Sequence, residues 1–321
     1  MPKPAPPSPK PAKANPRVPT HRLTLPPGLR ARYARRVIKP VLQDEAFLAD
    51  VRSARNKPDH LHLWWLGQSG YLLQWAGRHV LLDPYLSDSL TRKYAGTDKP
   101  HVRISERVVA PERLDFVDVV TSSHNHTDHL DPDTLQPLAR ANVGLRLVCA
   151  RANRDEAVRR SGLDPAQVIG LDPDQPPRAV VVGDFEFHAV PAAHETLERD
   201  DAGLYRYVGF VLKAGPFVLY HAGDTVLYAD QVERLRPFGI QLALLPINGR
   251  APERRVAGNL WGREAAALAR QIGARLAVPC HYDLFAFNTA SPEEFARECQ
   301  RLGQPFRVLR LGERLTLPPP D

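Results

Sequence analysis

The 321-residue chain is short of cysteine, with three, and of methionine, with one. Cys149, Cys280 and Cys299 form an odd, widely spaced set. Such a set argues against a disulfide framework and for a reducing compartment. No apolar run approaches the roughly 20 residues that a membrane-spanning helix requires. The opening MPKPAPPSPKPAK carries lysines with no apolar segment behind them, so it does not read as a secretory signal. Its proline density also forbids the amphipathic helix of a mitochondrial transit peptide. These absences predict a cytoplasmic protein. The chain has no repeat of 20–50 residues and no Gly-x-Ser-x-Gly nucleophile elbow.

Apolar residues make up 43% and charged residues 25%, as expected of a soluble globular protein. The net charge of +7 could suggest a polyanionic partner, but its location matters more. Residues 1–58 hold 13 Lys/Arg against 3 Asp/Glu, and the remainder holds 30 against 33. The body is therefore slightly acidic, and no nucleic-acid partner is expected for it. Residues 1–29, rich in Pro, Lys and Ala, read as a disordered tail that cannot offset its ordering entropy. That tail is either a solvated extension or an electrostatic tether, and membrane contact is expected only through it. Residues 30–58 read as an accessory helical segment whose apolar positions permit a homo-oligomer without requiring one. Residues 59–321 read as one folded domain.

Within that domain LHLWWLG, SGYLLQW and RHVLLD read as strands, with a hairpin at Ala76-Gly77. FVDVVTS is a further apolar strand, and LRLVCA is another between helices at 132–141 and 152–161. RAVVVGDFEFHAV and YRYVGFVLKAGPFVLYHAG read as meanders. QLALLPI and RLAVPCH are buried strands separated by the helix GREAAALARQIGA. SPEEFARECQRLG is a helix with a Ser N-cap, a capping-box Glu and a terminal Gly. FRVLRL is expected to close the chain as a strand. Two batches of strands, each interleaved with helices, predict an α/β fold: a four-layer αββα sandwich.

The strongest chemical signal is Ser123-His124-Asn125-His126-Thr127-Asp128-His129, directly after an apolar strand. His124 and His126 can face one side of an extended stretch, while Asp128 and His129 turn toward a neighbouring point. Nitrogen and oxygen donors without thiolate suit zinc, manganese or iron rather than copper(I) or an iron–sulfur cluster. A single histidine here would read as an ordinary surface residue. Three histidines and an aspartate so close together do not.

His-x-His-x-Asp-His after a strand resembles the signature of the metallo-β-lactamase superfamily. That resemblance implies a later histidine, a bridging aspartate and a final histidine. His194 in AVPAAHET, Asp224 in YHAGDT and His281 in AVPCHYD stand in that order, each after a strand. Asp83 in VLLDPYLSD matches a position that orients a ligand loop. His21, His60, His62, His79, His101, His188 and His221 have no matching context, although His221 is close enough to Asp224 to act behind it. WLGQSGYLLQ, GDT and PINGR resemble the branch of UlaG-like L-ascorbate-6-phosphate lactonases and N-acyl phosphatidylethanolamine phospholipase D enzymes. This resemblance spans roughly residues 60–315.

It implies two divalent ions, zinc or manganese first and iron also admitted, that lower the pKa of a bridged water to about 7. Asp128 would be the catalytic carboxylate that binds an ion and orients that water or accepts its proton. Asp224 would bridge the ions. The substrate would be a lactone or a small ester, phosphorylated or not. The first alternative is a phosphodiester, as in the phospholipase D type. The second, of another class, is a non-catalytic metal-binding scaffold. For substrate binding, Asn248 and Arg250 follow a buried strand. Arg250 is either an anion clamp or a structural arginine that caps a helix or pairs with Glu253. Tyr282, Asp283 and Asn288 follow the last ligand and are candidates to line the pocket.

Overall fold

The computed structural model describes residues 37–320. The Pro/Lys-rich tail and the start of the 30–58 segment lie outside the described residues. No described helix is long and apolar enough to cross a membrane.

Two β-sheets build the body. The first contains β1 (Leu61–Gly67), β2 (Gly70–Trp75), β3 (Arg78–Leu82), β4 (Val119–Ser122), β5 (Arg146–Ala150), β6 (Val168–Leu171) and β13 (Arg314–Leu317), in the order β13-β1-β2-β3-β4-β5-β6. The second contains β7 (Ala179–Val182), β8 (Phe185–Pro191), β9 (Val208–Ala214), β10 (Phe217–His221), β11 (Leu242–Pro246) and β12 (Leu276–Cys280), in the order β12-β11-β10-β9-β8-β7. Each sheet mixes antiparallel hairpins with parallel neighbours, β3-β4-β5-β6 in one and β10-β11-β12 in the other. The parallel strands VVTS, RLVCA, LALLP and LAVPC are buried almost throughout, as sheets covered on both faces require.

The sheets pack face to face over one apolar core drawn from both. Tyr71 on β2 donates its hydroxyl to the Pro279 carbonyl on β12 at 3.2 Å. Helices flank the sheets: α1 (Asp44–Ala54), α2 (Ser89–Lys93), α3 (Pro132–Ala141), α4 (Arg154–Ser161), α5 (Gln231–Leu235), α6 (Gly262–Gln271) and α7 (Glu293–Leu302). In α1, Phe47, Leu48, Val51 and Ala54 recur at helical spacing and are buried, with the Phe47 ring edge-on to Trp64 of β1. In α6, Ala265, Ala266, Leu268 and Ala269 face inward, and the helix packs on β11, β12 and α7. The result is the expected four-layer αββα sandwich.

Several boundaries differ from expectation. Within the described part of the accessory segment the helix is Asp44–Ala54, and residues 37–43 run as a strap tied to Ile104 and Leu311. FRVLRL is not a strand, because it crosses from one sheet to the other. Arg307 bonds to Ala277 of β12 at its start and Gly312 to Trp65 of β1 just beyond its end. The closing strand is β13 instead. Val168–Leu171, short and flanked by proline, is an additional strand.

Candidate metal centre

Every ligand candidate sits just past a strand end at one rim of the sandwich. The first sheet delivers Asp83 after β3 and the 124–129 segment after β4. The second delivers His194 after β8, Asp224 after β10 and His281 after β12. Two chain turns give the 124–129 loop its shape. His129 and Leu130 both donate their backbone N–H to the His126 carbonyl, at 3.0 and 2.9 Å. Arg160 on α4 braces the loop from outside by donating to the Asn125 and Leu130 carbonyls at 2.8 and 3.1 Å. Gly223, at φ +61°, passes so close to the same loop that a Cβ would lie 2.7 Å from the Val208 carbonyl and 2.8 Å from Ser123 Cβ. Only glycine leaves room there to bring Asp224 onto the histidines.

The side chains form two overlapping sets. His124, His126 and His194 offer ligand atoms within 4.8 Å of one another, and so do Asp128, His129 and His281. Asp224 lies between them, 3.3 Å from His129 Nε2, 3.6 Å from His194 Nε2 and 3.2 Å from His281 Nε2. His124 Nε2, His129 Nε2 and Asp224 Oδ1 are buried and have no hydrogen-bond partner. Buried polar atoms are rarely left so, and a cation at their convergence would satisfy all three. The donor set therefore fits divalent ions.

In two of the imidazoles the nitrogen opposite Nε2 is committed to the protein. His129 Nδ1 donates to Asp83 at 2.8 Å, and His194 Nδ1 donates to the Gly258 carbonyl at 2.9 Å. That choice directs Nε2 of both rings at the cluster. Asp83 is fully buried and also accepts from Thr121 Oγ1 at 2.9 Å and the Ser123 N–H at 3.1 Å. Tyr207 packs its ring against His124, His126 and His194.

Charge coupling is strong. Burial alone would raise the Asp128 and Asp224 carboxyls, but the neighbouring His129 and His281 hold both well below the usual carboxylate range. Conversely, burial disfavours a charged His281, yet Asp224 and Asp128 push it up to about 9. Burial drives His124 well below its ordinary value, so it stays neutral and available as a ligand.

A pocket of about 510 Å³ opens over the cluster, and His126, Asp128 and Asn288 reach it. Asn248 is buried behind Asn288. Its amide donates to Asn288 Oδ1 at 3.0 Å and accepts from Asn259 Nδ2 at 3.0 Å. Arg250 does not clamp an anion over the cluster. Both its terminal nitrogens meet Glu264, at 2.7 Å each, and it borders a separate surface pocket. Glu253, its other expected partner, is not used. Tyr282 is likewise turned away from the pocket. Its ring stacks on Trp65 at 4.6 Å and its hydroxyl donates to the Leu309 carbonyl. Asp283 borders another cavity, beside Lys39 and Arg310. His221 donates to the Ser69 carbonyl at 2.9 Å rather than touching Asp224.

Residues 78–282 match the family described as beta-lactamase superfamily domain. A UPF0173 metal-dependent hydrolase of Opitutus terrae is 31% identical over 259 residues, covering 79% of this chain and 99% of that protein. The chain belongs to the metallo-β-lactamase superfamily, within the UPF0173 metal-dependent hydrolases. Another such hydrolase, from Caldivirga maquilingensis, is 28% identical over 262 residues, covering 80% of this chain and 98% of that protein. Among solved structures, Igni18, a metallo hydrolase from Ignicoccus hospitalis, shares the fold at a TM-score of 0.58 and 23% identity, over 80% of this chain and 98% of its own. The UPF0173 family fits the UlaG-like resemblance loosely.

Residues that the sequence did not single out also shape the site. Gln68, Tyr207 and His101 are the main ones. His101 stacks on Tyr94 at 4.2 Å and meets Phe287 edge-on at 4.6 Å, forming one wall of the pocket. The WLGQSG motif contained Gln68, but only the fold shows what its side chain meets.

Proposed function

We propose that this metal-dependent hydrolase carries two divalent ions, one held by His124, His126 and His194, the other by Asp128, His129 and His281, with Asp224 shared. The observation that supports this reading is the pair of three-residue sets, His124–His126–His194 and Asp128–His129–His281, together with buried His124 Nε2, His129 Nε2 and Asp224 Oδ1 left without hydrogen-bond partners. Divalent ions there would act as Lewis acids and lower the pKa of a coordinated water. Zinc and manganese suit this donor set best, and iron is also compatible.

The chain's own residues account for the rest of the chemistry. Asp128, ionised and open to the pocket, orients the attacking water and takes its proton at a carboxylate oxygen. Asn288 Oδ1 already accepts from Asn248, so its Nδ2 is left to donate to a substrate oxygen. The wall of His101, Phe285 and Phe287 excludes water and favours a flat apolar group. We assign the substrate as a lactone or small carboxylic ester bearing such a group. A phosphodiester is the second reading, favoured by Lys93 in the pocket wall, whose ammonium lies 5.2 Å from the Tyr94 ring centre and makes no ion pair among the described residues. The three cysteines, all buried and unpaired, suit a reducing compartment.

A hydrolysis screen of aryl and alkyl lactones, esters and phosphodiesters, on wild type and Asp128→Ala, tests this. Turnover of a carboxylic ester that drops on the order of 10²–10⁴-fold in the variant is expected. Turnover that survives Asp128→Ala would remove Asp128 from the mechanism.

A further inference from the structure

Gln68 stands at the turn between β1 and β2, buried, with φ at +51°. Its backbone already does the structural work of that turn. The Gln68 carbonyl accepts from Trp65 Nε1 at 3.0 Å and from the His281 N–H at 2.9 Å. Glycine or asparagine would adopt that backbone more readily. The side chain does something else. Its Nε2 donates to Asp128 Oδ2 at 2.8 Å and lies 3.1 Å from His281 Nε2. These are two of the three residues assigned above to the second ion. The amide must present nitrogen to Asp128, because an oxygen there would face an ionised carboxylate. That leaves Gln68 Oε1 buried without a partner, a cost that an apolar side chain in the same place would avoid.

We propose that Gln68 is a positioning residue for the second ion. Its amide holds the Asp128 carboxylate beside His281, so that both converge on one point before metal arrives. Only a side chain of this length reaches. Asparagine in its place would stop one methylene short, and leucine would fill the space without a donor. Because Asp128 and His281 come from different sheets, the contact also ties the two halves of the rim together at the reactive end. The inference rests on the dinuclear reading above.

The test uses the full chain with Zn²⁺ alone as probe. Stepwise affinities are measured by competition with a chromogenic chelator for wild type, Gln68→Leu and Gln68→Asn. Melting of the metal-free proteins confirms that each is folded, and Gln68→Asn, which suits the backbone, covers the case in which leucine does not fold. The expected result is that one of the two ions binds about 10–100-fold more weakly in both variants while the other is unchanged. A residue needed only for the turn would move neither affinity, or both together, and either result overturns the proposal. A wild type that loads a single ion overturns the dinuclear reading, and the assignment of Gln68 to a second position with it.

Discussion

His129 carries the logic of the site in a single side chain. Buried imidazole resists protonation, yet Asp224 and Asp128 push His129 well above its ordinary range, and Asp83 fixes Nδ1 as the donor. Divalent ions held there would displace the proton on Nε2 and take its lone pair. Asp83 makes that orientation permanent, since it also accepts from Thr121 and Ser123. Asp83→Ala should therefore weaken metal binding by about 10–100-fold while sparing the fold of the sheet, as read by chelator competition beside metal-free melting. Unchanged affinity would mean that the His129 tautomer needs no such partner. Another histidine, away from the rim, makes a pH prediction. His79 is buried against Phe116, and burial, assisted by Arg55, lowers it from 6.5 to about 4. Above pH 6.5 it is neutral in both folded and unfolded chains and contributes nothing. Between 6.5 and 4 the unfolded chain takes up a proton that the folded chain refuses, so stability falls as pH falls, by up to about 3 kcal/mol. Urea midpoints from pH 7 to 4 should decline less in His79→Gln than in wild type, and parallel curves would contradict this. At this scale the seven ligand candidates could be picked out because they stood in one order after strands. Gln68, Tyr207 and His101 could not, because each acts through neighbours distant in sequence. Arg250 stayed open between two readings because the sequence could not show Glu264, in the first turn of α6, turning back onto it.

The elements place these residues by ending together. Four strands of the second sheet, β8, β10, β11 and β12, and β1, β3 and β4 of the first finish at the same rim, and the loops that follow need few residues to converge. Gly223 is the tightest point of that convergence. Gly223→Ala should fold less stably and lose metal affinity together, measured by melting and by competition, because the added methyl must push Asp224 off the cluster. α1 contributes differently, as a cap on the outer face of β1. Phe47 is fully buried against Trp64, so Phe47→Ala should cost about 3–5 kcal/mol by denaturant titration, with the metal-binding residues untouched. A cost below about 1 kcal/mol would show that α1 is only loosely attached. Most elements were readable from periodicity and caps, including the Ala76-Gly77 hairpin, where both residues take positive φ. FRVLRL was not, because its apolar residues pack inward while its backbone bridges two sheets. An apolar pattern reports burial and says nothing of who pairs with the strand.

For the whole molecule, two sheets facing one another leave a cleft where their loops meet, and that cleft is chemically divided. One side presents imidazoles and carboxylates, the other His101, Phe285 and Phe287. This division is why an ester with a flat apolar group is the proposed substrate. Phe287→Ala should raise KM for an aryl ester about tenfold with kcat little changed, because the wall binds ground state and transition state alike. A fall in kcat alone would place Phe287 nearer the reacting atoms. The central claim is that the chain holds a pair of ions, and elemental analysis of the purified, reconstituted protein measures it most directly. About two equivalents of zinc, manganese or iron per chain are predicted. One equivalent, or none, would contradict the account.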